Sequence, residues 1–304
     1  MISSLYKSND GNIMDIPIES INLQMLNVGF AQHDSDWNWQ HVCSPFIRIY
    51  MVTEGSAKVH TDKSIIELKP GFLYMIPAFL KHSYECNGPF SHYYLHFYEK
   101  YRKENDLFEL YSFPTEVKAD ENDLVIFQEM CKNHPDASLP ASNPCSYDNS
   151  PAFAYYVNRY NLLLLHDKMR LRGSMLLLFS RFMEFASNKV ISADARVSKA
   201  LRFIHDNIHE DITVNILAAT TCVTKNYFIR LFRQETGQTP LQFVNMRKIE
   251  FAQLLLLTED KTVKEIGFDL GFNDYSYFIR IFKKLTGTTP NNYRITGIKH
   301  QLYL

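Results

Sequence analysis

The chain has 304 residues, 46% apolar and 21% charged, with a formal net charge of −1. That balance excludes a disordered or fibrous protein and suits one large or two ordinary globular domains. There is no run of about 18 uncharged apolar residues, and the opening MISSLYKSNDGNIMDIP lacks the basic start and apolar stretch of a secretory signal. A soluble cytoplasmic protein with no membrane partner is therefore expected. Cys43, Cys86, Cys131, Cys145 and Cys222 are odd in number and never form CxxC, which argues against a disulfide framework or a zinc site.

In chain order, residues 21 to 98 come first. They are rich in β-branched and aromatic residues in short alternating runs, such as FIRIYMV and HYYLHFY, cut by TEGS, KPG, IPA and NGP. This is the pattern of an antiparallel β domain. In FIRIYMV, Phe46, Arg48 and Tyr50 share one face, and Ile47, Ile49 and Met51 the other. DENDLVIFQEMCK (residues 120 to 132) then predicts an amphipathic helix, followed by a proline-bearing loop at 133 to 151. Residues 152 to 188 predict helix with more apolar residues than one core-facing stripe requires, with Gly173 as a candidate break. Such a helix covers the β domain, pairs two chains, or both.

The charge divides along the same line. Residues 1 to 193 hold 17 Lys+Arg against 22 Asp+Glu, whereas residues 194 to 304 hold 15 against 11. A mildly basic C-terminal part meets the minimum electrostatic need of nucleic-acid binding. The expected organisation is a β domain at 1–119, a helical linker and dimerisation region at 120–192, and an all-helical domain at 193–304.

That last part repeats itself. YFIRLFRQETGQTP begins at Tyr227 and YFIRIFKKLTGTTP at Tyr277, identical at nine of fourteen places. In each copy Phe228, Leu231 and Phe232, or Phe278, Ile281 and Phe282, fall on one helical face. The opposite face carries Asn226, Ile229, Arg230 and Arg233, or Ser276, Ile279, Arg280 and Lys283. Thr224 and Asp274 are N-cap candidates, and Gly237 and Gly287 stand where C-caps are expected. A shorter helix precedes each copy, at 213–220 and 262–270, with small Ala218 or Gly267 where two helices must approach closely. Two short helices joined by a tight turn, the second cationic outside, make a helix-turn-helix unit. Between the units, residues 240 to 257 predict one helix starting at Pro240 and about 25 Å long. It holds two similar helices near the ~34 Å repeat of successive major-groove segments. A purely structural helical repeat is the competing reading.

The segments TKNYFIRLFRQETGQTP, KIEFAQLLL and GFNDYSYFIRIFKKLTGTTPNNYR resemble the signature of the AraC/XylS family of bacterial transcription regulators, over roughly residues 196 to 294. The resemblance implies two helix-turn-helix units on double-stranded DNA, RNA polymerase as a further partner, and a homodimer. By position, Asn226, Ile229, Arg230, Tyr275, Ser276, Ile279 and Arg280 would face base edges or adjacent phosphates. Lys225, Arg233, Lys283 and Lys284 would contact the backbone, since Arg can pair bidentately with guanine while Lys near phosphate only positions the protein. Two departures stand out. Cys222 occupies the first turn where the family usually has Gly, which suggests an altered turn, and Gly267 replaces the commoner Ala at a cost of about 1 kcal/mol in helix propensity.

The β-rich front half is similar to the family's cupin-like effector domain, giving an overall fold class of multidomain α+β: an antiparallel β-barrel with helices, then an all-α double helix-turn-helix. VTEGSAKVH, LKPGFLYMIPAFLKH and LHF carry this looser likeness. A metal-holding cupin would offer a closely spaced HxH and a further carboxylate and His, but only His60 lies in that stretch, so neither metal nor cofactor is expected. Trp37, Trp39, His41, Arg48, Tyr50, Tyr74, His82, Tyr84, Tyr94 and His96 are the effector-binding candidates, suited to a small molecule such as a sugar stacked on Trp and equally suited to a core. A metal-dependent cupin enzyme lacks its ligand cluster here. A cysteine-based DNA-repair enzyme would need an activated thiolate, and the five cysteines are isolated, so no enzymatic activity is expected.

Overall fold

The computed structural model describes residues 17–100, 107–148, 150–188 and 194–296. The opening stretch up to residue 16 and the expected boundary at 192–193 lie outside the described residues. The strands of the front half are β1 (Leu23–Asp34), β2 (Ile47–Gly55), β3 (Ala57–Thr61), β4 (Ile65–Leu68), β5 (Phe72–Ile76), β6 (His82–Glu85), β7 (Pro89–Glu99), β8 (Tyr111–Ser112) and β9 (Glu116–Lys118). They form an antiparallel five-stranded sheet, β1-β7-β2-β5-β9, and a three-stranded sheet, β4-β3-β6. β8 pairs with β10 (Ser187–Asn188).

Alternation along β2 explains the layering. Tyr50 and Val52 point between the two sheets into a core with Val59, Leu68, Tyr74, Tyr84 and Phe90. Ile47, Ile49 and Met51 point the other way, into a second core closed by helices. Both faces of the sheet are therefore buried, which is why its central strands are so apolar.

Helix α1 (Leu107–Leu110) leads to α2 (Glu121–Asn133), which starts at a reciprocal capping box between Asp120 and Asp123. Further on lie α3 (Pro144–Tyr147), α4 (Ser150–Leu162) and α5 (Leu165–Met183). Phe127 and Met130 of α2, with Leu171, Met175, Leu178, Phe179 and Phe182 of α5, cover the sheet. The break expected at Gly173 lies instead at residues 163–164, where Leu164 turns extended ahead of α5. A Cβ on Gly173 would meet open space, so the residue sits on the outer face while the buried row holds the helix continuous against its low propensity.

The C-terminal part comprises α6 (Ala195–Asp206), α7 (Val214–Thr220), α8 (Lys225–Thr236), α9 (Pro240–Thr258), α10 (Val263–Asp269), α11 (Tyr275–Thr286) and α12 (Pro290–Thr296). α9 starts with Pro at its first turn behind a Thr239–Gln242 capping box and spans about 28 Å. Val244, on its first half, is buried with Val197, Ile204, Leu217, Phe228 and Phe232. Ile249, Ala252, Leu256 and Leu257 are buried with Ile266, Phe278, Phe282 and Tyr293. The second of these clusters runs on into the front half, through Leu26, Phe46, Tyr98, Phe153 and Tyr156.

Candidate nucleic-acid interface and effector pocket

Both repeated segments are helices with matching ends. α8 and α11 each finish at a left-handed glycine, Gly237 at φ 76° and Gly287 at φ 78°, whose N–H bonds back into the last turn. Asp274 caps α11 by accepting from the N–H groups of Ser276 and Tyr277, whereas Thr224 heads α8 with no side-chain cap bond. Phe228 and Phe232, or Phe278 and Phe282, point into their cores. That orientation leaves Lys225, Asn226, Arg230 and Arg233 exposed beside half-buried Ile229. It likewise exposes Ser276, Arg280, Lys283 and Lys284 beside half-buried Tyr275 and Ile279. The expected contact residues thus form one outward face on each helix. Arg280 is steadied over the Tyr277 ring at 5.3 Å, and the Tyr277 hydroxyl accepts from Asn245 of α9 at 2.8 Å.

The turns ahead of these helices are alike. Cys222 at φ 56° and Gly271 at φ 66° hold the same left-handed position. In each, the next N–H reaches a carbonyl five residues back, Val223 to Ala218 and Phe272 to Gly267, at 3.1 and 3.0 Å. The altered first turn expected from Cys222 is not found: the residue adopts the strained conformation instead of changing the turn, its side chain reaching solvent. Gly267 is there for closeness, because a Cβ would lie 2.9 Å from the Phe278 ring.

In the front half, a cavity of about 200 Å³ lies against β1, β2 and β7 of the five-stranded sheet, with Trp37 and residues of the 139–147 stretch completing its wall. Of the expected effector residues, Trp37, Tyr50, Tyr94 and His96 line it. Trp37 stacks on Tyr84 at 4.0 Å between ring centres. The Leu80 carbonyl beside His82 Nδ1 can only accept, so Nδ1 carries the proton, Nε2 accepts from Tyr84, and Tyr84 in turn accepts from Tyr50. Tyr84 and His82 therefore stand behind the wall. Tyr74 is buried in the core, its hydroxyl accepting from the Lys69 N–H. Trp39 is half-buried against that core and His41 is exposed. Arg48, fully buried, turns away to Ser44 and Asp148.

Among the cavity residues that were not anticipated are three with polar aromatic rings: His33, His92 and Tyr147. His92 was within reach of the sequence, because it shares the alternation of β7 with Tyr94 and His96. His33, at the end of β1, and Tyr147, within the stretch read as a proline-bearing loop, gave no local signal. Burial pushes the His92 imidazole down to about 3, with His33 adding to the effect, and holds His96 well below its ordinary range, helped by Arg48 and His92. Both are neutral at pH 7. Both ring nitrogens of His96, Nδ1 of His92 and Nε2 of His33 have no hydrogen-bond partner among the described residues. The described residues contain no group of three or more His, Cys, Asp or Glu able to hold a metal ion, and no helix among them is long and apolar enough to cross a membrane.

Residues 217–295 match the family model described as a helix-turn-helix domain. The chain is 30% identical over 100 residues to the HTH-type transcriptional activator RhaS of Citrobacter koseri, covering 33% of this chain and 34% of that protein. It is 26% identical over 86 residues to the HTH-type transcriptional regulator ArgR of Pseudomonas aeruginosa, 28% of this chain and 26% of that one. These matches span only about a third or less of the relatives' own length. Among solved structures, the DNA-binding domain of AdpA in complex with a target DNA is 30% identical, covering 33% of this chain and 91% of that one at a TM-score of 0.32. ToxT of Vibrio cholerae bound to an unsaturated fatty acid is 15% identical, covering 90% and 95% at a TM-score of 0.45. The C-terminal part is a helix-turn-helix domain of the AraC type, built twice over.

Proposed function

We propose that the chain is a sequence-specific regulator of transcription that binds double-stranded DNA through α8 and α11 together. The observation that carries the reading is the repetition itself: two capped helices present the same exposed cationic face from one shared helix, α9. Arg230 and Arg280 read base edges, and Lys225, Arg233, Lys283 and Lys284 grip phosphate. The RhaS relative is by name a transcriptional activator, which supports this reading; RNA polymerase is the further partner such a regulator would work on. The test is selection of duplexes from a randomised pool by the full chain, followed by titration against salt. Two blocks of base preference and a steep salt dependence are expected, and binding that is absent or indifferent to sequence overturns the reading.

The cavity against β1, β2 and β7 is the proposed effector site, in a cupin-like domain. Its aromatic walls and neutral imidazole nitrogens suit a small uncharged molecule rich in hydroxyl groups, such as a sugar. The regulator acts as a homodimer through α5, where Leu165, Met169, Gly173 and Leu177 form an outward row four residues apart. Leu165, Met169 and Leu177 are 74%, 66% and 58% exposed, more apolar surface than a helix serving only as a cover leaves open.

A further inference from the structure

The two reader units share α9 but not one apolar core, since its first half is buried in one cluster and its second half in another. A single helix between two cores fixes their separation along its axis and leaves their relative rotation to whatever else joins them. A second contact does join them. The loop after α6 lies on the turn after α10: His209 Nδ1 donates to the Asp269 carbonyl at 2.6 Å, and the Asn273 amide donates to Asp211 at 2.7 Å. Between them stands Lys248, from the middle of α9. Its ammonium donates to the Glu210 carbonyl at 2.7 Å and the Gly271 carbonyl at 3.3 Å, one from each unit, and sits 5.2 Å from the centre of the Phe272 ring. Lys248 is 3% exposed. A cation so buried is tolerated only where acceptors meet it, and here both acceptors belong to the joint.

Gly271 shows how close the joint is. A Cβ there would lie 2.5 Å from the Glu210 carbonyl carbon and oxygen and from the His209 oxygen, all backbone of the other unit. The matching turn of the first unit faces solvent, which is why it can carry Cys222. We infer that this joint sets the rotation of α11 relative to α8, and that Lys248 is the positioning residue that makes the protein read its two half-sites at one fixed spacing. The inference rests on the proposal that both helices read DNA. One base pair added between half-sites turns the second by about 35° around the duplex, which a locked pair of helices cannot follow and a loosened pair can.

The test compares full-length wild type with Lys248→Met, which keeps the stem and removes the donors, by selection from a randomised duplex pool. Wild type should select two blocks at a single spacing and lose about tenfold or more in affinity on a one-base-pair insertion. Lys248→Met should keep the base preference inside each block, select a spread of spacings, and lose less than about threefold on the same insertion. A His209→Ala, Asn273→Ala double variant, cutting the joint near the surface, should shift spacing the same way and serves if Lys248→Met does not fold. Folded variants that keep the single spacing and the full insertion penalty overturn the inference while leaving the double reader intact. A wild type that selects only one block overturns both.

Discussion

Arg48 and Asp148 are a hundred positions apart in sequence and 3.4 Å apart in space, and neither side chain reaches solvent. Ser44 bridges them, accepting from Arg48 and donating to Asp148, and the guanidinium also lies 4.4 Å from the centre of the Phe46 ring. The pair ties β2 to the residue just ahead of α4. Removing one partner strands a buried charge, so Asp148→Ala should destabilise the front half by about 3–5 kcal/mol. An Arg48→Met, Asp148→Leu double variant should cost less than that single change. Urea unfolding followed by circular dichroism reads both, and a loss under about 1 kcal/mol for Asp148→Ala would count against a sealed pair.

Arg230→Ala and Arg280→Ala should each weaken specific binding by about 1 to 3 kcal/mol and relax base preference in separate parts of the footprint, about one helical turn apart. Lys225→Ala or Lys283→Ala should lower affinity for every sequence and flatten the salt dependence. Fluorescence anisotropy on selected and scrambled duplexes separates the two patterns. If Arg280→Ala shifts preference and Arg230→Ala does not, only the second unit reads bases.

The front half should lose stability in acid before its carboxylates titrate. His92 and His96 are buried with their affinity for protons depressed, from an ordinary value of 6.5 to about 3 for His92. Below pH 6.5 the unfolded chain therefore binds more protons than the folded one. Their neutral burial leaves stability intact above about pH 6.5, and it falls as pH drops from there towards 3. The slope is up to about 1.4 kcal/mol per pH unit for each histidine. Thermal melts of wild type and His92→Gln across that range should show a shallower fall in the variant.

Cys222 and Gly271 occupy equivalent turns and should respond in opposite directions. Cys222→Gly relieves a left-handed residue and should stabilise by about 1 kcal/mol. Gly271→Ala adds that strain and drives a methyl into backbone, so it should destabilise by more than about 2 kcal/mol. Melting temperatures of the two variants settle the sign.

A Leu165→Glu, Met169→Glu variant should be a folded monomer, since both side chains are exposed. Sedimentation velocity at several concentrations reads this, and a wild type that stays monomeric at high concentration and on selected DNA removes the dimer.

The reader units were legible because everything that makes them is local: an apolar period, a cap, a glycine stop and a small residue at each helix contact. Ala218, Gly267, Gly237 and Gly287 could be assigned within a dozen residues of the helices they serve. The cavity was only half legible, since alternation marks Tyr50, Tyr94 and His96, while Tyr147 arrives from within the proline-bearing loop. Arg48 had the right face but the wrong partner, because nothing near it in sequence points to Asp148. The joint at Lys248 left no trace either, as it joins three backbone segments whose side chains are unremarkable.

The apolar cluster under α11 does not end at the helix-turn-helix domain; it takes in Phe46, Tyr98, Phe153 and Tyr156 from the front half, while the cluster under α8 contains no residue from there. Two copies of one segment, identical at nine of fourteen places, are thereby given unequal lives. Amide protons of α11 should exchange with solvent only when the sheets loosen, whereas those of α7 and α8 can escape by opening the first unit alone. A molecule in the cavity would slow the first process and leave the second almost untouched, so that occupancy is registered at one reading head and not the other.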